Sequence, residues 1–274
     1  MTEPDRCRPA DHSAAEEQPQ QDDHRYRHAH EPEQKSFSHF RLHEFCYGFK
    51  NATSNVKFQQ AEQKKRNMPR YKLAIFDLDG TLSDSFPWFL RVVNSIADRH
   101  GFRRVEPGDV EMLRGKSSRE IIRHLQVPMW RMPLIAADMR RLKSRSIDSI
   151  PLFAGVEPML QELSQRGVLL AMVSSDSERN VRKALGNSAA LMSRFACGAS
   201  MFGKAAKYRT VLKRTGMAAE DAISIGDEVR DGEAARQAGI DFGAVGWGFG
   251  TPEALRQVSP ALVFERVADI ARLI

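Results

Sequence analysis

Short apolar runs recur along residues 72–245, and each run ends at polar residues or glycine. The four runs are Lys72–Phe76, Val168–Val173, Ala222–Ile225 and Phe242–Val245. Runs of this length and composition are typical of buried parallel strands. Helical patterns at Glu157–Arg166 and Ala205–Arg214 lie between them. This alternation predicts an α/β fold built on an open, mostly parallel sheet.

The stretch between the first and second runs is predicted to be helical. Phe86–His100 has an amphipathic pattern, and Pro87 is tolerated because it falls in the first helical turn. Further helical patterns run through Ser117–Leu125 and Met129–Ser146. We therefore expect an α-helical cap over residues 85–150, inserted after the first strand, and a core domain made of residues 68–84 and 151–274.

Residues 1–67 differ in composition from the rest of the chain. They contain six of the eight histidines but one of the eighteen glycines, and their eleven basic residues balance eleven acidic ones. Because no apolar period is sustained there, a disordered, solvated leader is the preferred interpretation. His39 and His43 would share a helix face, but nothing else nearby fixes a metal site. The abrupt change before Met68 also raises the hypothesis of an initiation codon assigned too early, with a genuine disordered tail as the alternative.

Composition and charge disfavour several classes of protein. The 274 residues carry a formal net charge of +6, which suits anionic metabolites or weak contact with nucleic acid. The clustered basic and aromatic residues of a nucleic-acid reader are not found. There is no run of about 18 apolar residues for a membrane span, and the first residues are too polar for a secretory signal. The three scattered cysteines match no zinc or disulfide pattern and favour a reducing, cytoplasmic location.

The first strand ends in a pair of acidic residues. Asp77 and Asp79 flank Leu78, so alternation places both carboxylates on one side, and Gly80 permits a sharp turn after them. Two like charges this close resist joint ionisation unless a cation lies between them or one carboxyl keeps a proton. In such sheets, ligands bind beyond the carboxyl ends of the strands. The pair therefore predicts a divalent metal site with one proton-transferring carboxyl.

Polar motifs follow the other strand ends in a definite order. Asp77–Thr81 reads DxDGT, Ser174 ends the second run, Lys204 follows Gly203, and Gly226–Asp231 reads GDxxxD. Together these motifs resemble those of the haloacid dehalogenase-like (HAD) superfamily of phosphatases. The resemblance covers essentially all of residues 70–274, and it implies a Rossmann-like core sheet.

The resemblance implies a reaction mechanism. Asp77 is the expected nucleophile, which attacks phosphorus and forms an aspartyl-phosphate. Asp79 is expected to protonate the leaving alkoxide and then to act as the base for the water that cleaves the intermediate. Mg²⁺ is the expected cofactor, held by Asp77, Asp227 and the main-chain carbonyl of Asp79. Phosphoryl transfer is favoured over dehalogenation, because dehalogenases of the superfamily lack the second acid.

The same resemblance implies phosphate-binding and supporting roles. The expected phosphate-binding residues are Ser174, Ser175, Gly80, Thr81 and Lys204. Ser174 and backbone N–H groups around Gly80 would donate to phosphoryl oxygens, and Lys204 would neutralise charge on the phosphoryl group and on Asp77. Asp231 is expected to orient Lys204 or a metal-bound water. Glu228 stands beside this site, either as a ligand or as a solvated charge.

A helical cap at this position resembles the phosphoglycolate phosphatase and β-phosphoglucomutase branch of the superfamily. Such a cap shields the phosphorylated aspartate from water and contacts the substrate. Arg114 and Lys116 are the expected cap residues for a substrate carboxylate or second phosphate, with a solvated helix end as the alternative. We therefore expect a Mg²⁺-dependent phosphatase of a small, phosphoglycolate-like metabolite, monomeric or homodimeric, with no nucleic-acid or membrane partner.

Other functions are weighed against this one. A phosphomutase of the β-phosphoglucomutase type would use the same motifs but return the phosphoryl group to its substrate. A non-catalytic binding protein on the same scaffold is disfavoured, because all the expected chemical groups are present. A nucleotide-binding P-loop is disfavoured, because Ala205 replaces the required hydroxyl residue and no buried strand is expected to lead into Gly198. Gly232 departs from the resemblance and is expected to weaken a local packing contact.

Overall fold

The structure is a computed structural model that describes residues 70–198 and 203–273. Its strands are β1 (Leu73–Phe76), β2 (Leu169–Val173), β3 (Met192–Ala196), β4 (Ala222–Gly226), β5 (Asp241–Val245) and β6 (Leu262–Phe264). They form one sheet in the order β3-β2-β1-β4-β5-β6, and every pairing is parallel. The predicted α/β fold with an open parallel sheet is therefore confirmed. The predicted leader, residues 1–67 with His39 and His43, lies outside the described residues.

Strand β1 lies at the centre of the sheet, and this position sets up the site. Leu73 is in register with Leu169 of β2 on one side and with Ala222 of β4 on the other. The loops that follow β1, β2 and β4 therefore leave the same edge of the sheet as immediate neighbours. The chain order reverses between β1 and β4, which is where open parallel sheets bind their ligands.

Helices cover the sheet and also form the segment between β1 and β2. The helices between β1 and β2 are α1 (Phe86–His100), α2 (Val110–Arg114), α3 (Ser118–His124) and α4 (Met132–Ser146). The remaining helices are α5 (Val156–Gln165), α6 (Glu178–Leu185), α7 (Lys204–Thr215), α8 (Val229–Ala238), α9 (Pro252–Arg256) and α10 (Val267–Leu273). Short 3₁₀ segments occur at Pro107–Asp109, Met129–Arg131, Ile147–Ser149, Gly186–Leu191 and Ala219–Asp221. All five predicted helices are present, with ends that differ from the prediction by at most three residues.

The two faces of the sheet bury separate apolar cores, because side chains alternate along each strand. Ala74 and Phe76 of β1 pack with the helices α5 and α10 on one face. Leu73 and Ile75 pack with α7 and α8 on the other face. Asp77 follows Phe76 directly, so the alternation of side chains along β1 places Asp77 toward the face that carries α7 and α8.

Two strands were not predicted, and both lie at the edges of the sheet. In β3 (MSRFA) only Met192 is buried and there is no apolar run, whereas β6 (LVF) is a short apolar run of which only Phe264 is buried. Strand β3 ends two residues before Gly198, but only its first residue is buried, so the expectation that no buried strand leads into that glycine holds. The strand is half exposed, which is why its sequence pattern did not reveal it.

Gly232 corrects an expectation, since it permits tight packing rather than weakening a contact. It lies buried in the first turn of α8. A Cβ atom added there would lie 2.5 Å from Val258 Cγ2 and 3.0 Å from Phe242 Cδ1. The absent side chain allows α8 to approach β5 and the turn after α9 closely.

The helices α1–α4 have an apolar cluster of their own, and we call residues 86–149 the helical insert. Val93, Val105, Leu113 and Leu125 are buried in this cluster. Ser117 caps α3, because its Oγ accepts from the Glu120 N–H while Glu120 Oε2 accepts from the Ser117 N–H. None of the helices in residues 70–198 and 203–273 has the length and apolar character needed to cross a membrane.

Candidate active site

Buried carboxylates gather where β1 and β4 end. Oxygen atoms of Asp77, Asp227 and Asp231 lie within 4.8 Å of one another, and all three residues are buried. Asp77 follows β1, Asp227 follows β4, and Asp231 lies in the first turn of α8. The strand order brings the first two together, and helix α8 supplies the third.

Lys204 enters this cluster from the first turn of α7. Its Nζ lies 2.8 Å from Asp77 Oδ2 and 2.5 Å from Asp231 Oδ1. Asp231 Oδ2 also accepts from the backbone N–H groups of Asp227 and Glu228, at 3.2 Å each. Asp231 therefore fixes both the ammonium group of Lys204 and the start of the loop after β4.

Burial and neighbouring charge act in opposite directions on these groups. Burial alone would raise the pKa of Asp77, but the charges of Lys204 and Arg230 outweigh it and lower that pKa. Burial, together with the charges of Glu228, Asp231 and Asp77, raises the pKa of Asp227 well above its usual value. Burial would lower the pKa of Lys204, but the two carboxylates hold it well above normal. A divalent cation at Asp227 would offset both the burial and the like-charge repulsion that raise this pKa.

The loop after β1 wraps around Asp227. Gly80 has a φ of +75°, and a Cβ atom there would collide with the Asp227 carboxylate. Thr81 Oγ1 donates to Asp227 Oδ1 at 2.7 Å, and the Phe249 N–H donates to Asp227 Oδ2 at 2.7 Å. The phosphate-binding roles of Gly80 and Thr81 stay predictions. Their N–H groups donate to the Ser83 and Leu78 carbonyls, so both are occupied within the turn.

The Asp79 carboxylate contacts the helical insert. Lys143 Nζ, from α4, lies 2.6 and 2.7 Å from the two Asp79 oxygens and 2.9 Å from Asp176 Oδ2. Lys143 and Asp176 are almost fully buried. Burial would lower the pKa of Lys143, but the charges of Asp79 and Asp176 raise it. Because these acids belong to the loops after β1 and β2, Lys143 binds the insert to the core at the site itself.

The loop after β2 carries the two predicted serines. Ser174 is buried, and its Oγ accepts from the Asp176 N–H at 3.1 Å. Ser175 is exposed and faces the space between the core and the insert. Lys207 Nζ, one helical turn after Lys204, donates to the Ser174 carbonyl at 2.7 Å and to the Gly198 carbonyl at 2.6 Å. Lys207 thus supports the backbone that presents Ser174.

Glu228 forms an ion pair with Arg230, so it is not a freely solvated charge. It also does not belong to the three-carboxylate cluster. Burial raises the pKa of Glu228, although the charge of Arg230 opposes this effect. Both residues line the space below the insert.

The two predicted substrate residues of the insert differ in their contacts. Arg114 donates through Nε to the Phe249 carbonyl and through Nη2 to the Gly248 carbonyl, each at 3.0 Å. Its Nη1 donates to Glu111. These contacts occupy the guanidinium and connect the insert to the loop after β5. Lys116 lines the same space, and its charge is among those that lower the pKa of Glu120, after the hydrogen bonds from Ser117.

A cavity of about 610 Å³ lies between the insert and the core. The polar part of its lining includes Asp79, Ser175 and Arg230 from the core and Lys143 from α4 of the insert. Side chains of α1–α4 and the side chain of Phe249 also line it. A small organic molecule in this cavity would therefore meet Asp79 directly.

Sequence reasoning missed Lys143, Asp176 and Lys207. Lys143 had a detectable signal, because Ile135, Met139 and Lys143 follow one another at intervals of four along α4. An apolar stripe of a helix faces the protein interior, and a lysine within it therefore needs a buried acidic partner. Asp176 directly follows the two predicted serines, and Lys207 lies one turn after Lys204. Their partners depend on tertiary contacts.

Comparison with known proteins agrees with this geometry. Residues 74–245 match the model of the family described as haloacid dehalogenase-like hydrolase. A phosphoglycolate phosphatase from Synechococcus elongatus is 31% identical over 202 residues, which are 73% of this chain and 95% of that protein.

Solved structures share the fold at lower identity. A haloacid dehalogenase-like family hydrolase from Streptococcus pneumoniae superposes with a TM-score of 0.62 at 22% identity, over 74% of this chain and 98% of the other. CbbY from Rhodobacter sphaeroides, in complex with phosphate, gives a TM-score of 0.59 at 18% identity, over 73% and 96% of the two chains.

Proposed function

Because the chain belongs to the haloacid dehalogenase-like hydrolase family, we propose that it is a Mg²⁺-dependent phosphoric monoester hydrolase that acts through a phosphorylated Asp77. The observation that carries this proposal is the position of Asp77. Its carboxylate is buried, and Lys204 holds it in the ionised form that a nucleophile needs.

The proposed reaction has two steps. An oxygen of Asp77 attacks phosphorus, the bond from phosphorus to the substrate oxygen breaks, and Asp79 gives a proton to the leaving alkoxide. Asp79 then takes a proton from water as that water attacks phosphorus, which breaks the bond to Asp77 and releases phosphate. Ser174 and Lys204 would bind phosphoryl oxygens in both steps, with Lys204 also offsetting the charge on Asp77. Asp231 would keep Lys204 in place.

The charge of the cluster fits a divalent cation. Asp77, Asp227 and Asp231 carry three negative charges when ionised, and Lys204 supplies one positive charge. Asp77, Asp227 and the main-chain carbonyl of Asp79 would hold Mg²⁺, because hard oxygen ligands suit this ion. Bound Mg²⁺ would polarise a phosphoryl oxygen and screen the phosphate from the nucleophile.

The substrate is proposed to be a small phosphorylated metabolite, and phosphoglycolate is the first compound to test because a relative carries that name. Lys116 stays in the proposal as a substrate-binding residue. We withdraw Arg114 from it, because protein acceptors occupy its guanidinium. A cytoplasmic location and a monomeric or homodimeric state belong to the same proposal.

The experiment measures phosphate release by the full chain from phosphoglycolate and from p-nitrophenyl phosphate. Turnover should require Mg²⁺ and stop in excess chelator. Asp77→Asn should lower kcat by at least about 1,000-fold, because an amide cannot attack phosphorus in its place. Asp98→Asn is the control, since Asp98 is exposed on α1 and pairs only with Arg104 among the described residues.

Two results would contradict the proposal. One is equal turnover by Asp77→Asn and the wild type, and the other is full activity in excess chelator. Transfer of the phosphoryl group to a second substrate hydroxyl, without release of inorganic phosphate, would instead identify a mutase.

A further inference from the structure

The cavity under the helical insert is larger and less polar than a two-carbon acid requires. Its volume of about 610 Å³ falls in the range that encloses organic molecules of drug size. Fourteen of the lining residues belong to α1–α4 or their connections and are apolar, among them Phe86, Leu113, Ile121, Ile135 and Met139. Apolar interiors are normally close-packed, so open space among such side chains indicates room for an apolar group.

Aromatic side chains form one wall of this cavity. Phe86 and Phe249 meet edge to face with ring centroids 4.9 Å apart, and Phe89 meets Phe249 at 5.8 Å. Trp88 contributes to the same lining. Rings in these orientations offer edges and faces against which another ring packs favourably.

The cavity also lies where the organic part of a substrate has to go, a step that rests on the proposed function. Asp79 is the residue that would protonate the leaving oxygen, so the carbon attached to that oxygen must lie beside the Asp79 carboxylate. Asp79 lines the cavity, whereas Asp77 and Asp227 do not. The phosphoryl group would therefore sit at the core side, and the rest of the molecule would extend between α1 and α4.

Three of the five cationic side chains that line the cavity, those of Arg114, Lys143 and Arg230, are engaged by protein acceptors. Arg114, which could have formed a bidentate clamp on a carboxylate, donates to the Gly248 and Phe249 carbonyls and to Glu111. Lys143 is occupied by Asp79 and Asp176, and Arg230 by Glu228. The other two are Lys116, which offers a single flexible ammonium group, and Arg140 of α4.

We propose that this site prefers phosphomonoesters of primary alcohols that carry an apolar group of aromatic size, and that the insert cavity binds that group. Phosphoglycolate would then be a poor substrate. The selectivity would come from burial of apolar surface against the insert, with the same phosphoryl chemistry for every ester.

A series of alkyl phosphates tests the proposal with the full-length wild-type chain. Ethyl, n-butyl, 2-phenylethyl and 3-phenylpropyl phosphate have primary-alcohol leaving groups of similar basicity, so differences in kcat/KM report mainly on the organic group. From ethyl to 3-phenylpropyl phosphate, kcat/KM should rise about 30-fold, equivalent to about 2 kcal/mol of buried apolar surface.

The outcomes separate this proposal from the proposed function. A flat or falling series, or a higher kcat/KM for phosphoglycolate than for 3-phenylpropyl phosphate, overturns the cavity proposal and leaves the phosphatase intact. Absence of hydrolysis for every ester overturns the proposed function instead.

A pair of variants on α4 locates the effect. Ala136 lines the cavity, whereas its neighbour Ala137 is exposed and does not. Ala136→Phe should lower the ratio of kcat/KM for 3-phenylpropyl over ethyl phosphate about tenfold, because the new ring fills the space. Ala137→Phe should leave both values unchanged. Equal ratios in Ala136→Phe and the wild type would place the organic group elsewhere and contradict the proposal.

Discussion

The two walls of the site, which we call the core wall and the insert wall, differ in the side chains that line them. On the core wall, charged groups at the ends of β1 and β4 and at the starts of α7 and α8 are buried and paired at 2.5 to 2.8 Å, as Lys204 is with Asp231 and Asp77. On the insert wall, apolar side chains surround open space. Lys143 is the insert residue whose charge reaches Asp79.

The difference indicates that the core wall and the insert wall have separate functions. The core wall needs charges in fixed positions, and a sheet edge supplies them because neighbouring parallel strands end side by side. The insert wall needs a shape that suits one organic group, and packed helices supply that shape. Changes in the core wall should therefore affect every substrate, whereas changes in the insert wall should affect substrates selectively.

Among the variants that test this comparison, one that removes the charge of Lys204 should cause the largest loss of activity. Lys204→Met should lower kcat by about 100- to 1,000-fold on all substrates alike, because transition-state charge and the Asp77 charge both lose their counter-charge. Lys213→Met is the matched control, since Lys213 is exposed on the same helix. A loss confined to one substrate would show that Lys204 selects substrate rather than serving the chemistry.

Lys143 connects the two walls through its ion pairs with Asp79 and Asp176. Its substitution should lower both the stability of the fold and the rate of turnover. Lys143→Met leaves the buried Asp176 without its cation, which should lower the free energy of unfolding by about 3 kcal/mol. Turnover should fall about tenfold, because Asp79 also loses its contact with the insert. Urea denaturation and steady-state kinetics measure the two effects. Arg145→Met, at an exposed position of α4, should change neither, and a silent Lys143→Met would show that the insert is held by other contacts.

A pair of glycine variants compares packing in the core and in the insert. Gly232→Ala should lower the free energy of unfolding by about 1–3 kcal/mol, because the added methyl group meets Val258 at 2.5 Å. Gly108→Ala, in the insert, has no atom within 4 Å of the added Cβ and should change stability by less than about 0.5 kcal/mol. Denaturant midpoints of the full chain report both, and equal midpoints would refute the tight packing assigned to α8.

The fold and the core wall could be predicted from the sequence to a large extent. The buried strands β1, β2, β4 and β5 are apolar runs, and the acids that follow β1 and β4 are next to them in sequence. The edge strand β3 escaped prediction because it is half exposed and has no apolar run, and β6 escaped because its apolar run, Leu262–Phe264, is only three residues long. Local sequence therefore encodes the central strands and the residues at their ends.

The insert wall could not be predicted in the same way. The sequence predicts that Arg114 and Lys116, two basic residues of the cap, contact a substrate carboxylate or second phosphate. The structure engages Arg114 with the loop after β5 and brings Lys143 to Asp79, across 64 residues of sequence. Such partners depend on how α4 docks on the loops after β1 and β2, which no local pattern records. The packing of Gly232 against Val258 is a further tertiary contact of this kind.

Direct capture of the phosphorylated intermediate tests the central claim, that Asp77 is the nucleophile of a hydrolase. The Asp79→Asn variant, incubated with Mg²⁺ and a reactive aryl phosphate, should accumulate the intermediate because the base for its hydrolysis is missing. Borohydride reduces an acyl phosphate to an alcohol, so peptide mass spectrometry should then find homoserine at position 77. The account would be contradicted if position 77 were still aspartate under these conditions while substrate is turned over. This holds whether another residue or no residue had been reduced.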